Sequence, residues 1–230
     1  MKYTNSQVRD FLKIVSSKKN YVATEVDKSL LRSYSDCYSC KMSNELISLI
    51  WNEFKKRFPE LLDYDQRSQV TILDTNAGSG KLIENAPESC SLEVYTETYE
   101  EKQISDMLNQ SKIIDSSYAS EVFDISNFFI NGDNGNTKKY DIVITRIEKD
   151  KDYYKGVDGT SLSYLDPINY YVSRSLDFVT KGGYLCVICK KTEVEQFLRN
   201  GNVKKYSDLE TRISPVNSKL EYISVILKKK

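Results

Sequence analysis

The chain of 230 residues contains no histidine. That absence excludes Ser-His-Asp and Cys-His nucleophile pairs, imidazole acid-base work and histidine-based zinc sites. Chemistry is left to carboxylates, lysines, tyrosines, cysteines, backbone groups or a cofactor that brings its own reactivity. A charge excess of either sign is also missing: 33 basic and 33 acidic residues cancel to zero, whereas a nucleic-acid binder ordinarily carries a basic excess. The basic runs Lys138-Lys139, Lys190-Lys191, Lys204-Lys205 and Lys228-Lys229-Lys230 read first as solvated surface. No apolar run approaches the roughly 20 residues of a membrane helix, and the opening MKYTNSQVRDFLK has no apolar signal core. The expectation is a cytoplasmic protein with no membrane contact.

Cysteine is present but in an unhelpful arrangement. Five cysteines include two C-x-x-C pairs, Cys37/Cys40 and Cys186/Cys189, a spacing that suggests a four-thiolate zinc site. Cys186 and Cys189 fall inside an apolar strand-like run, where residues three apart point to opposite faces and cannot chelate one ion. Ordinary reduced cysteines and no metal are expected.

Two patterns divide the chain. Residues 1–65 read as a helical segment packed on the core: Val8, Phe11, Leu12 and Val15 share a helical face, and Val22, Val26, Leu30 and Leu31 continue the spacing. A further helix has Ser43 as cap, Glu45 in its first turn, and Leu46, Leu49, Ile50, Phe54 and Phe58 as its stripe, ending at Pro59. Residues 66–230 alternate strands with helices. Strands are expected at 69–74, 92–98, 120–124, 140–147 and 184–190, followed by two more joined around residues 214–218. A long helix is expected from Asp166-Pro167 with Ile168, Val172, Leu176 and Val179 on one side, closed by Lys181-Gly182-Gly183. The order gives an α/β fold, a mostly parallel Rossmann-like sheet with a C-terminal antiparallel hairpin.

In such a sheet a ligand sits at the carboxyl ends of the strands, so the turn after the first strand matters most. It reads Asp74-Thr75-Asn76-Ala77-Gly78-Ser79-Gly80, with two glycines that let a ligand approach bare backbone. The spacing matches neither the dinucleotide fingerprint nor a P-loop. Glu97 ends the second strand, where an acid can grip ribose hydroxyls; a solvated strand end is the plainer account. Asp124 ends the third, where it can accept an adenine amine or simply cap a helix.

These residues resemble class I S-adenosylmethionine-dependent methyltransferases, and among them the adenine amino (N6) DNA methyltransferases of restriction-modification systems. The run ILDTNAGSG is similar to the family's cofactor loop, with Thr75 in place of proline; YTETYEEKQISDML to its second strand and helix; SEVFDISNF to its adenine-contacting strand end; and YYVSRSLDFVTKGGYLCVICKK to its helix-Gly-Gly-strand segment. Tyr38-Ser39-Cys40-Lys41 stands where the family has an aromatic-x-Thr-Pro sequence. The resemblance implies a seven-stranded sheet and S-adenosylmethionine as cofactor, bound by Asp74, Asn76, Ala77, Gly78, Gly80, Glu97, Asp124 and Tyr38.

The chain departs from the family at the acceptor motif. Where the family has Asn-Pro-Pro-Tyr after the fourth strand, this chain has Thr145-Arg146-Ile147-Glu148. Arg146, Ile147 and Glu148 cannot supply the acceptor hydrogen bonds and stacking ring that hold a flipped adenine. Tyr153 and Tyr154 could replace the ring, although packing is the plainer role. Three readings follow. One is a silent or redirected relative that works with a protein partner subunit. A second is an active methyltransferase on a non-adenine, small-molecule or protein acceptor. The third is a doubly wound binding protein that does not use the cofactor. DNA or RNA stays open as a partner, although the charge balance does not support it.

Overall fold

Strands with a two-residue apolar period send consecutive side chains to opposite faces. The computed structural model, which describes residues 3–18, 20–35, 42–62, 69–118, 138–147, 172–173, 175–215 and 222–230, shows where each face goes. Seven strands form one sheet: β1 (Thr71–Asp74), β2 (Ser91–Thr96), β3 (Ile113–Tyr118), β4 (Tyr140–Arg146), β5 (Val179–Lys190), β6 (Ser207–Ile213) and β7 (Tyr222–Lys229). Their spatial order is β3-β2-β1-β4-β5-β7-β6. The first five run parallel, and β7 is antiparallel to both β5 and β6. The winding reverses between β1 and β4, which makes that boundary the topological switch point.

One core layer takes Ile72, Ile142, Ile144, Cys186 and Ile188, and the other takes Leu73, Val143, Leu185, Val187 and Cys189. Cys186 and Cys189 thus lie on opposite faces of β5, and burial pushes the Cys186 thiol up to about 12 and raises that of Cys189 further. Among the described residues no cluster of three His, Cys, Asp or Glu can hold a metal ion, and no helix is long and apolar enough to cross a membrane. Cys37 and Cys40 lie outside the described residues.

The first layer is covered by α3 (Asn44–Arg57), whose N-cap Ser43 accepts the Leu46 N–H and whose Leu46, Ile47, Ile50, Trp51 and Phe54 are buried. Trp51 Nε1 donates to Leu82 O at 2.9 Å, and Lys81 Nζ donates to Met42 O at 2.6 Å. The two bonds tie α3 and the residue leading into it to α4 (Lys81–Glu84), the short helix after β1. A smaller cluster packs α1 (Asn5–Ser16) and α2 (Glu25–Leu31) onto α5 (Tyr99–Asn109) through Val8, Leu12, Leu31, Tyr34 and Ile104. The opposite face of the sheet carries α6 (Val194–Leu198) and α7 (Gly201–Tyr206), with Phe197 and Val203 in its core.

Several expectations change. Val22 and Val26 are 72% and 69% exposed, because α2 begins only at Glu25 and turns Leu31 inward instead. The sheet has a third strand at 113–118, ahead of the expected 120–124, which lies outside the described residues. Helical backbone occurs at 172–173 and 175–177, but Val179 already belongs to β5. Lys181-Gly182-Gly183 is therefore within the strand rather than a helix cap. Gly182 has φ +79°, and the β4/β5 register shifts beside it, between Tyr140 and Ile142, so the glycines form an irregularity in the ladder.

Trp51 is the only tryptophan, and its ring fills the α3 layer while its N–H satisfies a buried carbonyl. Replacing it by Phe leaves that carbonyl unsatisfied and is expected to lower stability by about 1–3 kcal/mol. Urea unfolding followed by circular dichroism measures this; an unchanged midpoint would show that the bond contributes nothing.

Candidate functional site at the switch point

The turn from 75 to 80 is buried throughout and held by backbone bonds to the strands on both sides and within itself. Thr75 N–H donates to Ile144 O of β4 at 2.9 Å, Ala77 N–H donates to Tyr95 O of β2 at 2.8 Å, and Gly80 N–H donates to Ala77 O at 3.0 Å. Thr75 Oγ1 adds a 2.8 Å bond to Thr145 Oγ1. Gly78 and Gly80 both have positive φ, +56° and +81°. At Gly80 the constraint is double, since a Cβ would stand 2.4 Å from Asn109 Nδ2 and 2.7 Å from Ser105 Oγ of α5. The turn is pressed against α5, and Asn109 Nδ2 donates to Gly80 O at 3.3 Å and Ser105 O at 3.0 Å.

Polar side chains converge over this turn. Asp74, at the end of β1, is 3% exposed, and its Oδ1 accepts the Asn76 N–H at 3.1 Å. Asn76 Nδ2 donates to Glu97 Oε1, just past β2, at 3.2 Å. Arg146, the last residue of β4 and itself 3% exposed, donates from Nη2 to Asn76 Oδ1 at 3.4 Å. The amide of Asn76 thus bridges β4 to the end of β2 across β1. Burial pushes the Asp74 carboxyl up to about 6, against the pull of the Asn76 N–H and the Arg146 charge.

Glu101 is the residue that sequence reasoning missed. It is 3% exposed, and its Oε2 accepts the N–H groups of Glu97 at 3.0 Å and Thr98 at 3.2 Å, while Thr98 Oγ1 accepts the Glu101 N–H at 3.1 Å. This is a capping box at the start of α5. Thr98-x-x-Glu101 was legible as such a box; what was not legible is that it fixes the backbone that carries Glu97. Burial raises the Glu101 carboxyl, and the neighbouring Glu97 charge adds to the shift.

The structure brings Asp74, Asn76, Glu97 and Arg146 into one cluster, with Gly78 and Gly80 shaping the turn beneath. Ala77 is placed otherwise: its N–H is taken by Tyr95 O and its methyl lies in the apolar core. Ile147 points into the opposite core layer and extends the ladder by donating to Ile188 O at 2.9 Å. Tyr38, Asp124, Glu148, Tyr153 and Tyr154 lie outside the described residues.

Solved structures to which this chain is similar include methyltransferases. N-methyltransferase NodS from Bradyrhizobium japonicum WM9, in complex with S-adenosyl-L-homocysteine, superposes with a TM-score of 0.52 at 10% identity, covering 89% of this chain and 97% of that one. A predicted O-methyltransferase from Agrobacterium tumefaciens gives 0.50 at 14% identity, over 82% and 81% of the two chains. A candidate class I S-adenosylmethionine-dependent methyltransferase from Listeria monocytogenes gives 0.50 at 13% identity, over 99% and 69%. The fold is that of the class I S-adenosylmethionine-dependent methyltransferases. No protein-family model and no curated protein matches the sequence. At these identities the methyltransferase likeness is one of fold; the Asp74–Glu97 cluster lies at the carboxyl edge of the sheet, beside the switch point.

Two outcomes follow from the geometry. Gly80→Ala is expected to destabilise the protein by roughly 2–4 kcal/mol, the sum of a left-handed backbone penalty and a clash with α5; a variant that unfolds at the wild-type urea midpoint would contradict this packing. Between 3.8 and about 6 the native Asp74 holds a proton that the unfolded chain has lost. Its contribution therefore rises as pH falls through 6, by about 1 kcal/mol from pH 7.5 to pH 5. Asp74→Asn should remove that part of the pH dependence in urea unfolding of the ligand-free protein.

Proposed function

We propose that this chain is an S-adenosylmethionine-dependent methyltransferase-like protein related to the adenine-specific DNA methyltransferases. It keeps the cofactor half of the site and has replaced the acceptor half, so that it works as a silent or redirected relative alongside a protein partner. The observation that carries the reading is the contrast between the two halves. The turn after β1 has two left-handed glycines, and acids stand at the ends of β1 and β2. A ligand with vicinal hydroxyls and an ammonium group suits that donor set. The end of β4 carries Arg146, turned onto Asn76, and Ile147, turned into the core, where the related enzymes carry their acceptor motif.

When bound, the cofactor supplies a methyl group on a positively charged sulfur, so the protein's task is to bind and position. Glu97 would hold the ribose hydroxyls, its own backbone N–H fixed by Glu101 and its carboxylate by Asn76. Asp74 would face the ammonium end, where ionisation of its raised carboxyl favours a cationic partner. Gly78 carries no side chain that a ligand would meet, whereas at Gly80 the missing side chain is what lets the turn lie against α5. Neither the Arg146 nor the Ile147 side chain can accept a hydrogen bond from an adenine amine, since a guanidinium has only donors and the isoleucine side chain has no polar atom.

Thermal stabilisation by S-adenosylmethionine or S-adenosyl-L-homocysteine, lost in Asp74→Ala, is the expected result, together with no methyl incorporation into DNA from labelled cofactor. Stabilisation by neither ligand would remove the cofactor reading. Labelled adenine in DNA would remove the claim that the acceptor half has been replaced.

A further inference from the structure

Arg146 introduces a charge into the switch-point crevice. It ends β4, on the far side of the reversal from Asp74, and its 3.4 Å bond to Asn76 spans the boundary between the two strands. Asn76 is itself fixed twice, through its N–H to Asp74 and through its Nδ2 to Glu97. A guanidinium does not deprotonate in a protein, so a buried arginine bonded to the residue that contacts both Asp74 and Glu97 is a permanent positive charge there. Asp74 and Glu101 both feel that charge. That charge offsets part of the attraction the carboxylates can offer a second cation.

We infer that Arg146 acts as a charge filter, turning the site toward a neutral thioether nucleoside of the S-adenosyl-L-homocysteine kind and away from the cationic sulfonium form. The inference rests on the adenosyl-cofactor reading of this site. The two ligands share adenine, ribose and amino-acid groups, and they differ by one methyl and one positive charge at sulfur. Contacts of Glu97 and of the glycine turn are common to both. The charge difference is felt by Arg146, and two like charges in a partly desolvated crevice are separated by enough energy to change relative affinity about tenfold. A chain with this preference retains the demethylated ligand and works as a binding module.

Isothermal titration of the full chain at pH 7.5 tests this with three probes: S-adenosyl-L-homocysteine, S-adenosylmethionine, and sinefungin, which carries a protonated amine in place of the methyl sulfonium. The wild type should bind the thioether about tenfold more tightly than either cationic ligand. Arg146→Gln should bring the three within about threefold of one another, and Arg146→Lys, which keeps the charge, should keep the preference. Equal affinities in the wild type overturn the inference without any variant having to fold, while leaving the cofactor reading intact. A preference that survives in a folded Arg146→Gln protein overturns it as well. Binding of none of the three rejects the cofactor reading and this inference with it.

Discussion

The site depends on one steric constraint: at Gly80 the chain passes α5 with no room for a side chain and with a left-handed backbone. That close approach lets the turn after β1 lie flat over the strand ends, where it bonds to β2 through Ala77 and to β4 through Thr75. With the turn fixed on both sides, Asn76 has a single place to put its amide, and the positions of Glu97 and Arg146 follow from it. The Glu101 capping box holds the other side of the same crevice by anchoring the backbone at 97 and 98. Lys81 and Trp51 then fasten α3 to the helix that the turn begins. A shift of the turn would therefore be felt in every layer that touches it.

Electrostatics at this edge work against stability. Asp74 and Glu101 are taken almost wholly out of water, and burial raises both carboxyls. Ligand-binding crevices commonly hold such groups in place through the surrounding fold, because polar groups that are uncomfortable without a ligand are those that can serve one. Arg146 modifies that situation from inside the chain. It supplies positive charge to an acidic site and leaves a donor-only side chain at the end of β4.

Much of the architecture was legible in the sequence. The alternation in β4 and β5 gave two-faced strands, and the faces are those that separate Cys186 from Cys189. Ser43, with the apolar stripe after it, gave α3. The strand Ile113–Tyr118 was not singled out because IIDSSY is polar over its second half, as befits an edge strand with one neighbour. Gly-Gly is the common sign of a helix end, which is why the sequence points to a helix through Val179, whereas Gly182 takes its positive φ within an irregular strand start. Val22 and Val26 fit a helical spacing, yet they precede or begin α2 and face solvent.

At the site, the sequence by itself determined the ingredients: an acid at each of two strand ends, a glycine turn between them, no histidine, and an arginine at the end of the fourth strand. Those are local properties of composition and spacing, and strand periodicity suffices to bring them to one edge. Only the tertiary structure decided which of them meet. Asn76 joins Arg146 and Glu97 because β1 lies between β4 and β2, Glu101 supports the strand end because a helix cap places it there, and Ala77 and Ile147 turn into the apolar core. Contacts between residues 21 and 70 positions apart, as in the Asn76 bonds, depend on strand order and on which face a side chain takes. Neither is encoded in the spacing of the residues that make them.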